Sequence, residues 1–235
     1  MLKRIPLIPS VMTVLALALL VSLGQWQVQR LNWKTELLAT MDARVHGTPV
    51  NVVDHPADVE AWNYRRVVAR GVFDHDREAH LQTTGPDGKA GYDIYTPLRL
   101  ADGRAVIVNR GWVPFAKKDQ STRGDGLSVG EVSVVGLARL NRTAEWYMPK
   151  NNTVKNIWFT ANLPEMASFM NVKVALPLFV DADATPIAGG YPIGGQTILD
   201  IPNNHLDYAL TWYGLALVLL VIYLLYVRRA FKDEV

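Results

Sequence analysis

Apolar residues crowd the two ends of this chain and alternate with polar ones between them. Residues 5–23 form an apolar run broken only by Pro6, Pro9, Ser10, Thr13 and Ser22, and residues 208–227 carry no charge. At a rise of about 1.5 Å per residue, either run as a helix spans the ~30 Å hydrocarbon layer of a bilayer. Beyond the first run, Trp26, Arg30, Trp33, Leu37 and Met41 recur at three- and four-residue steps. That spacing predicts that the helix continues outward as an amphipathic stalk and stops near Gly47-Thr48-Pro49. From Arg65 the period changes. RRVVARGVFD, YDIYTPLRL, RAVIVNRGWVPF, EVSVVGLARL and ALPLFVDAD are short, rich in Val, Ile, Tyr, Phe or Leu, and divided by turn-forming stretches such as GPDGKAG and ADGR. They predict a mainly antiparallel sheet, of a kind that can close into a barrel. NLPEMASFM interrupts the strands as a helix, with Asn162 as N-cap, Pro164 in the first turn and Glu165 three residues after the cap. KKDQSTRGDGLSVGE reads as an exposed loop and DATPIAGGYPIGGQTILDIPNN as a Gly/Pro-rich return to the membrane.

The expected class is therefore an α+β membrane protein in which two transmembrane helices flank a mainly antiparallel β periplasmic domain with at least one helix. Residues 1–26 are assigned to the N-terminal transmembrane helix, 27–204 to the periplasmic stalk and β-rich domain, and 205–235 to the second transmembrane helix and a short cytoplasmic tail. The first run exceeds the roughly 7–15 residues of a signal-peptide core, so it is read as an anchor rather than a cleaved leader. Without an Arg- and Ser-rich targeting pattern before it, the expected location is a bacterial inner (plasma) membrane. Arg228, Arg229 and Lys232 follow the second run, whereas residues 185–204 contain no Lys or Arg. Basic residues favour the cytoplasmic side, which places both ends of a two-pass chain inside and the middle domain outside.

Charge and composition narrow the function. Residues 27–204 hold 19 Lys and Arg against 19 Asp and Glu, so no net field draws nucleic acid to the domain. Cysteine is absent from the sequence, which removes disulfides, thiolate nucleophiles and thiolate metal sites together. No Ser-His-Asp pattern, nucleophile elbow, P-loop or dinucleotide fingerprint is present, and catalysis has little support.

Three places carry candidate chemistry. In NNHLDYALTWYGLALVLLVIYLLYVRR, Asn204 is placed to cap a helix whose first residue is His205, with Asp207 completing a capping box. Tyr208, Ala209 and Trp212 lie three, four and seven positions after His205 and are expected on its face. An imidazole at a helix N-terminus is biased towards its neutral, metal-ligating form. Flat apolar surface below it suits a macrocycle lying partly in lipid, while the plainer alternative makes His205, Tyr208 and Trp212 interfacial anchors. FDHDREAHL gathers Asp74, His75, Asp76, Glu78 and His80, either as a metal site or as a solvated strand end. In VIVNRGWVP, Arg110 and Trp112 either bind a carboxylate and stack on a flat ligand or form a strand-end turn with a buried ring.

Taken together and in order, LGQWQVQRLNWK, RRVVARGVFD with Glu78, GYDIYTPLRLADGRAVIVNRGWVP, NIWFTANLPEMA and IPNNHLDYALTWYGLA resemble the SURF1 (Shy1) family of membrane proteins that assist assembly of haem-copper respiratory oxidases. The resemblance covers nearly the whole chain. It implies an assembly or accessory protein rather than a catalyst, working with haem a or a related haem when the catalytic subunit of the oxidase receives its cofactor. The family's proposed haem ligand, a His at the entrance of the second span, corresponds to His205. Tyr208 and Trp212 follow as neighbours of the cofactor and Arg110 as a more distant contact. The implied partners are the oxidase catalytic subunit and the lipid bilayer. The alternative is a permanently bound structural subunit of a terminal oxidase with no cofactor of its own.

Overall fold

A computed structural model describes residues 7–52, 58–141, 143–197 and 202–232. Along the chain run α1 (Leu7–Val45), β1 (Val50–Asn51), β2 (Arg66–Phe73), β3 (Ala79–Thr84), β4 (Ala90–Arg99), β5 (Ala105–Pro114), β6 (Glu131–Leu140), α2 (Leu163–Phe169), β7 (Val174–Ala182) and α3 (His205–Lys232). Two compact units result, one of Met1–Thr40 with Asp200–Val235 and one of Met41–Leu199. The expected class holds: apolar terminal helices flank a β-rich domain that contains one further helix.

In the helical unit, α1 and α3 are both long and apolar enough to cross a membrane. The predicted stalk is the same uninterrupted helix as the first apolar run. Its hydroxyl side chains turn back on the backbone, Thr13 donating to the Pro9 carbonyl at 2.8 Å and Ser22 to the Ala18 carbonyl at 2.7 Å. Such bonds satisfy polar groups where lipid offers no partner. Further along α1, Arg30 lies between the rings of Trp26 and Trp33, 5.7 and 5.5 Å from their centroids.

In the other unit every strand-like segment of the sequence forms a strand. The sheet order is β1-β2-β6-β7-β5-β4-β3, and a further pairing of β2 with β4 closes five strands into a ring. Within the ring only β5 and β7 run parallel; the other contacts are antiparallel. Closure is short, Val72 against Arg99 and Phe73 against Leu98. It needs Gly71, because a Cβ there would lie 2.2 Å from the Arg99 carbonyl oxygen. Alternating positions of the strands fill the ring with Val67, Ala69, Leu98, Val106, Val108, Ala138, Leu178 and Val180. The opposite face of the sheet presents Tyr95, Ile107 and Phe179 to α2 and to Trp158. As the sequence predicts, Asn162 caps α2, its side-chain oxygen accepting from the Glu165 amide at 3.1 Å.

Two segments differ from expectation. The stretch read as a strand end rich in solvated carboxylates does follow the end of β2 at Phe73, but Glu78, just before β3, is buried rather than solvated. The predicted exposed loop after Lys117 folds into tight 3-10 turns that bury Arg123.

Candidate functional site

The helical unit places His205 at the first position of α3, where the sequence predicts it, and the Asn204 carbonyl accepts the Tyr208 amide. Across from it, α1 presents Gly24 and Gln27, both buried. His205 Nδ1 lies 2.7 Å from Gln27 Oε1. An amide oxygen only accepts, so Nδ1 carries a proton, and in the neutral ring Nε2 keeps the lone pair. This tautomer presents Nε2 as a ligand atom, with the other nitrogen fixed by a neighbour as metal-bound histidines commonly are.

Small residues bring the helices together. Ala209 and Ala216 are buried in α3, and a Cβ on Gly24 would lie 2.6–2.9 Å from the Tyr213 ring. Tyr223 shares a 2.6 Å hydrogen bond with Ser10, and Lys34 donates to the Pro202 carbonyl. The packed seam of α3 thus follows His205, Ala209, Trp212, Tyr213 and Ala216, with Trp212 half-buried. Tyr208, expected on the same face, is 57% exposed and stands beside the seam rather than in it. The reason is angular: three residues advance the helix by less than a turn, and the small Ala209 takes the contact.

Arg110 belongs to the β unit and is 2% exposed. Its guanidinium lies 4.8 Å from the centre of the Phe73 ring and donates to the Gly126 carbonyl. Nη1 is 3.3 Å from His75 Nδ1 and 3.8 Å from Glu78. Glu78 is the hub of this cluster. Arg123 grips both of its carboxylate oxygens, and the imidazoles of His75 and His80 each approach to 3.8 Å. Burial alone would push the Glu78 carboxyl up, but the nearby imidazoles of His75 and His80, with the hydrogen bonds and charge of Arg123, outweigh it and hold the group well below the usual carboxylate range. For Arg110 burial dominates and lowers its pKa to about 10, against the pull of Glu78. Two of the three FDHDREAHL carboxylates, Glu78 and Asp74, therefore have structural partners, while Asp76 is exposed. Asp74 binds Arg99 at 2.6 Å and Arg77 at 3.1 Å, and no group of three His, Cys, Asp or Glu side chains suited to a metal occurs among the described residues.

Trp112 does not accompany Arg110. Between the pairs Asp93–Trp112 and Tyr95–Asn109, β5 carries one residue more than β4. This bulge is made at Gly111, whose φ of +118° and 2.1 Å Cβ approach to the Ile193 carbonyl exclude a side chain. It turns Arg110 towards Phe73 and Glu78, and Trp112 towards the opposite face with Asn109. Sequence reading also missed Gln27 and Arg123. Gln27 stands out only as a polar residue three positions after Gly24, and nothing local distinguishes Arg123 from a solvated charge.

The family model for SURF1 matches residues 14–217, which include most of α1, the first half of α3 and the closed sheet. The chain belongs to the SURF1 family. Surfeit locus protein 1 of Xenopus tropicalis is 38% identical, over 83% of this chain and 67% of its own length. The Mus musculus protein of the same name is 36% identical, over 82% and 67%. The SURF1-like protein of Monosiga brevicollis is 35% identical, over 88% and 82%. Membership covers both units, so the His205–Gln27 pair and the Glu78 cluster both lie inside the region that the family model matches.

Proposed function

We propose that this SURF1 chain is an assembly or accessory factor of a haem-copper terminal oxidase and assists haem insertion into the catalytic subunit. It acts as a two-pass protein of a bacterial inner membrane, with both termini cytoplasmic and the β unit periplasmic. The observation that carries the reading is the His205–Gln27 hydrogen bond, because it leaves Nε2 free to donate its lone pair. One imidazole is a poor donor set for a bare ion. A haem would bring four nitrogen donors of its own and ask the protein for little more than an imidazole such as His205, so the residues present fit it. Haem a or a related haem would supply an iron atom that accepts the imidazole, and no bond of the cofactor is remade. His205 holds, Gln27 fixes the ring, and Trp212 with the exposed Tyr208 offers flat apolar surface beside it. The role is holding and presenting, not catalysis.

The test is the visible absorption of the detergent-solubilised protein purified from cells that make haem a. The wild-type chain carries haem and His205→Ala loses most of it; equal haem in both would remove His205 as the ligand. Alkaline phosphatase is expected to be active when fused within the β unit and inactive when fused after Lys232, and the reverse would invert the topology. The second reading, a cofactor-free structural subunit, draws on the apolar outer sides of α3, where Leu206, Leu210 and Leu217 are exposed. It requires stoichiometric co-purification with a mature oxidase and no haem of its own.

A further inference from the structure

The side of α1 that meets α3 runs through Gly24, Gln27 and Lys34, which face Tyr213, His205 and Pro202. About a quarter turn round the helix lies a second stripe, Leu15, Leu19, Trp26, Arg30, Trp33 and Leu37, spaced by three, four and seven residues. This stripe is open: Leu19 is 61%, Trp26 48% and Trp33 54% exposed.

Its single charge is held in an unusual way. Of the three basic residues of α1, Lys34 donates to the Pro202 carbonyl and Arg44 to the carbonyls of Glu60 and Asn63. Among the described residues Arg30 has neither a hydrogen bond nor an ion pair; its guanidinium instead lies 5.7 and 5.5 Å from the ring centres of Trp26 and Trp33. A cation over two rings is held by their quadrupoles without using its N–H groups. The donor fork is therefore left for an oxyanion. Depth selects which one. The apolar run ends at Leu23, and the hydrogen bond to His205 sets Gln27 level with the start of α3, just outside its charge-free span. Arg30 stands about 4.5 Å further out at 1.5 Å per residue, within a headgroup layer roughly 5–7 Å deep. The abundant acceptor at that depth is the lipid phosphate, and indole rings favour the same layer. Below Trp26 the stripe turns wholly aliphatic, as an acyl chain requires.

We propose that Arg30, framed by Trp26 and Trp33, binds the phosphate of an anionic phospholipid in the leaflet from which α1 emerges. The guanidinium donates to two phosphate oxygens, the indoles hold it at that depth, and an acyl chain runs down Leu19 and Leu15. A lipid of net negative charge is favoured, because the ammonium of a zwitterionic headgroup competes for its own phosphate. The site rests on the two-pass membrane placement proposed above and not on haem at His205.

The test uses the full chain in detergent, incubated with equal amounts of phosphatidylglycerol and phosphatidylcholine, with retained lipid counted by native mass spectrometry. Wild type is expected to keep phosphatidylglycerol roughly fivefold over phosphatidylcholine, about what one Arg contributes at an anionic lipid surface. Arg30→Gln should lose most of that preference, whereas Arg228→Gln, near the other end of α3, should keep it. Trp26→Leu combined with Trp33→Leu leaves the charge but removes its frame, and should fall between them. Far-UV circular dichroism reports that each variant keeps its helices. Inorganic phosphate and glycerol 3-phosphate in molar excess should leave the lipid bound. No preference in wild type, equal losses in Arg30→Gln and Arg228→Gln, or displacement of the lipid by inorganic phosphate would each overturn the proposal. Carbonate extraction of membranes separates this site from the placement it rests on: a chain that resists extraction yet shows no preference loses the lipid site alone, while an extracted chain loses both.

Discussion

Replacing Glu78 by Gln removes one charge and little volume from a site where almost no water enters. The side chains of Glu78, Arg110 and Arg123 are 1%, 2% and 1% exposed, so solvent screening is slight. At the 3.8 Å separating Glu78 from Arg110, and with an effective dielectric of about 20, the lost attraction is about 4 kcal/mol. The contact with Arg123 is closer still. Part of this is returned because a neutral amide is cheaper to bury than a carboxylate, while two guanidinium groups are left facing each other. Breaking a buried pair from one side costs about 3–5 kcal/mol, and Gln, which still accepts from Arg123, belongs at the lower end. For a domain of this size about 3 kcal/mol corresponds to roughly 6–12 °C in Tm. Circular dichroism of the detergent-solubilised chain during heating measures it. The sign of the pH dependence follows from the depressed folded-state pKa: as pH falls, the unfolded carboxyl takes its proton first. The contribution is therefore fully present above about pH 5 and declines as pH falls below the ordinary carboxylate value of about 4.3. Wild type should lose stability on acidification more steeply than Glu78→Gln. A Tm within about 3 °C of wild type, with parallel acid limbs, would refute the view that Glu78 holds this cluster together.

Three further outcomes are expected. Gln27→Leu frees the His205 ring without touching Nε2, so haem content should fall while staying above that of His205→Ala; a Gln27→Leu chain with full occupancy would show that the hydrogen bond has no part in holding the ligand. Gly24→Val forces a side chain into the Tyr213 ring and should cost about 1–3 kcal/mol of helix pairing. Because the chain has no cysteine of its own, that loss is readable as weaker maleimide cross-linking between Ser10→Cys and Tyr223→Cys. Asn162→Ala removes the α2 cap and should lower stability by about 1 kcal/mol in denaturant titration, with an unchanged midpoint contradicting the cap.

The barrel was legible wherever residues make contact through the faces that periodicity describes. Runs rich in Val, Ile, Tyr, Phe or Leu became β2, β4, β5, β6 and β7, and the Asn162 cap was readable because all its atoms lie within four residues. The site residues were harder. Glu78 and Arg123 are 45 positions apart, and each alone reads as a solvated charge, so their mutual burial is a property of the ring. Alternation along β5 puts Arg110 and Trp112 on one face, whereas the bulge at Gly111 separates them. His205 was visible because a polar residue against an uncharged span is conspicuous, but its partner Gln27 lies 178 residues away. Tyr208 shows the limit of helical spacing, which gives a face to within one residue and leaves packing to choose between Tyr208 and its small neighbour.

The place of β7 in the ring has a consequence for synthesis. It lies between β5 and β6, so the ring cannot be completed until Ala182 has been made, near the end of the domain. Until then β5 and β6 each present a row of unsatisfied amides and carbonyls to whatever is nearby. A nascent chain stalled or truncated before residue 174 is therefore not a smaller barrel but an open sheet with two adhesive margins, a substrate for aggregation or proteolysis.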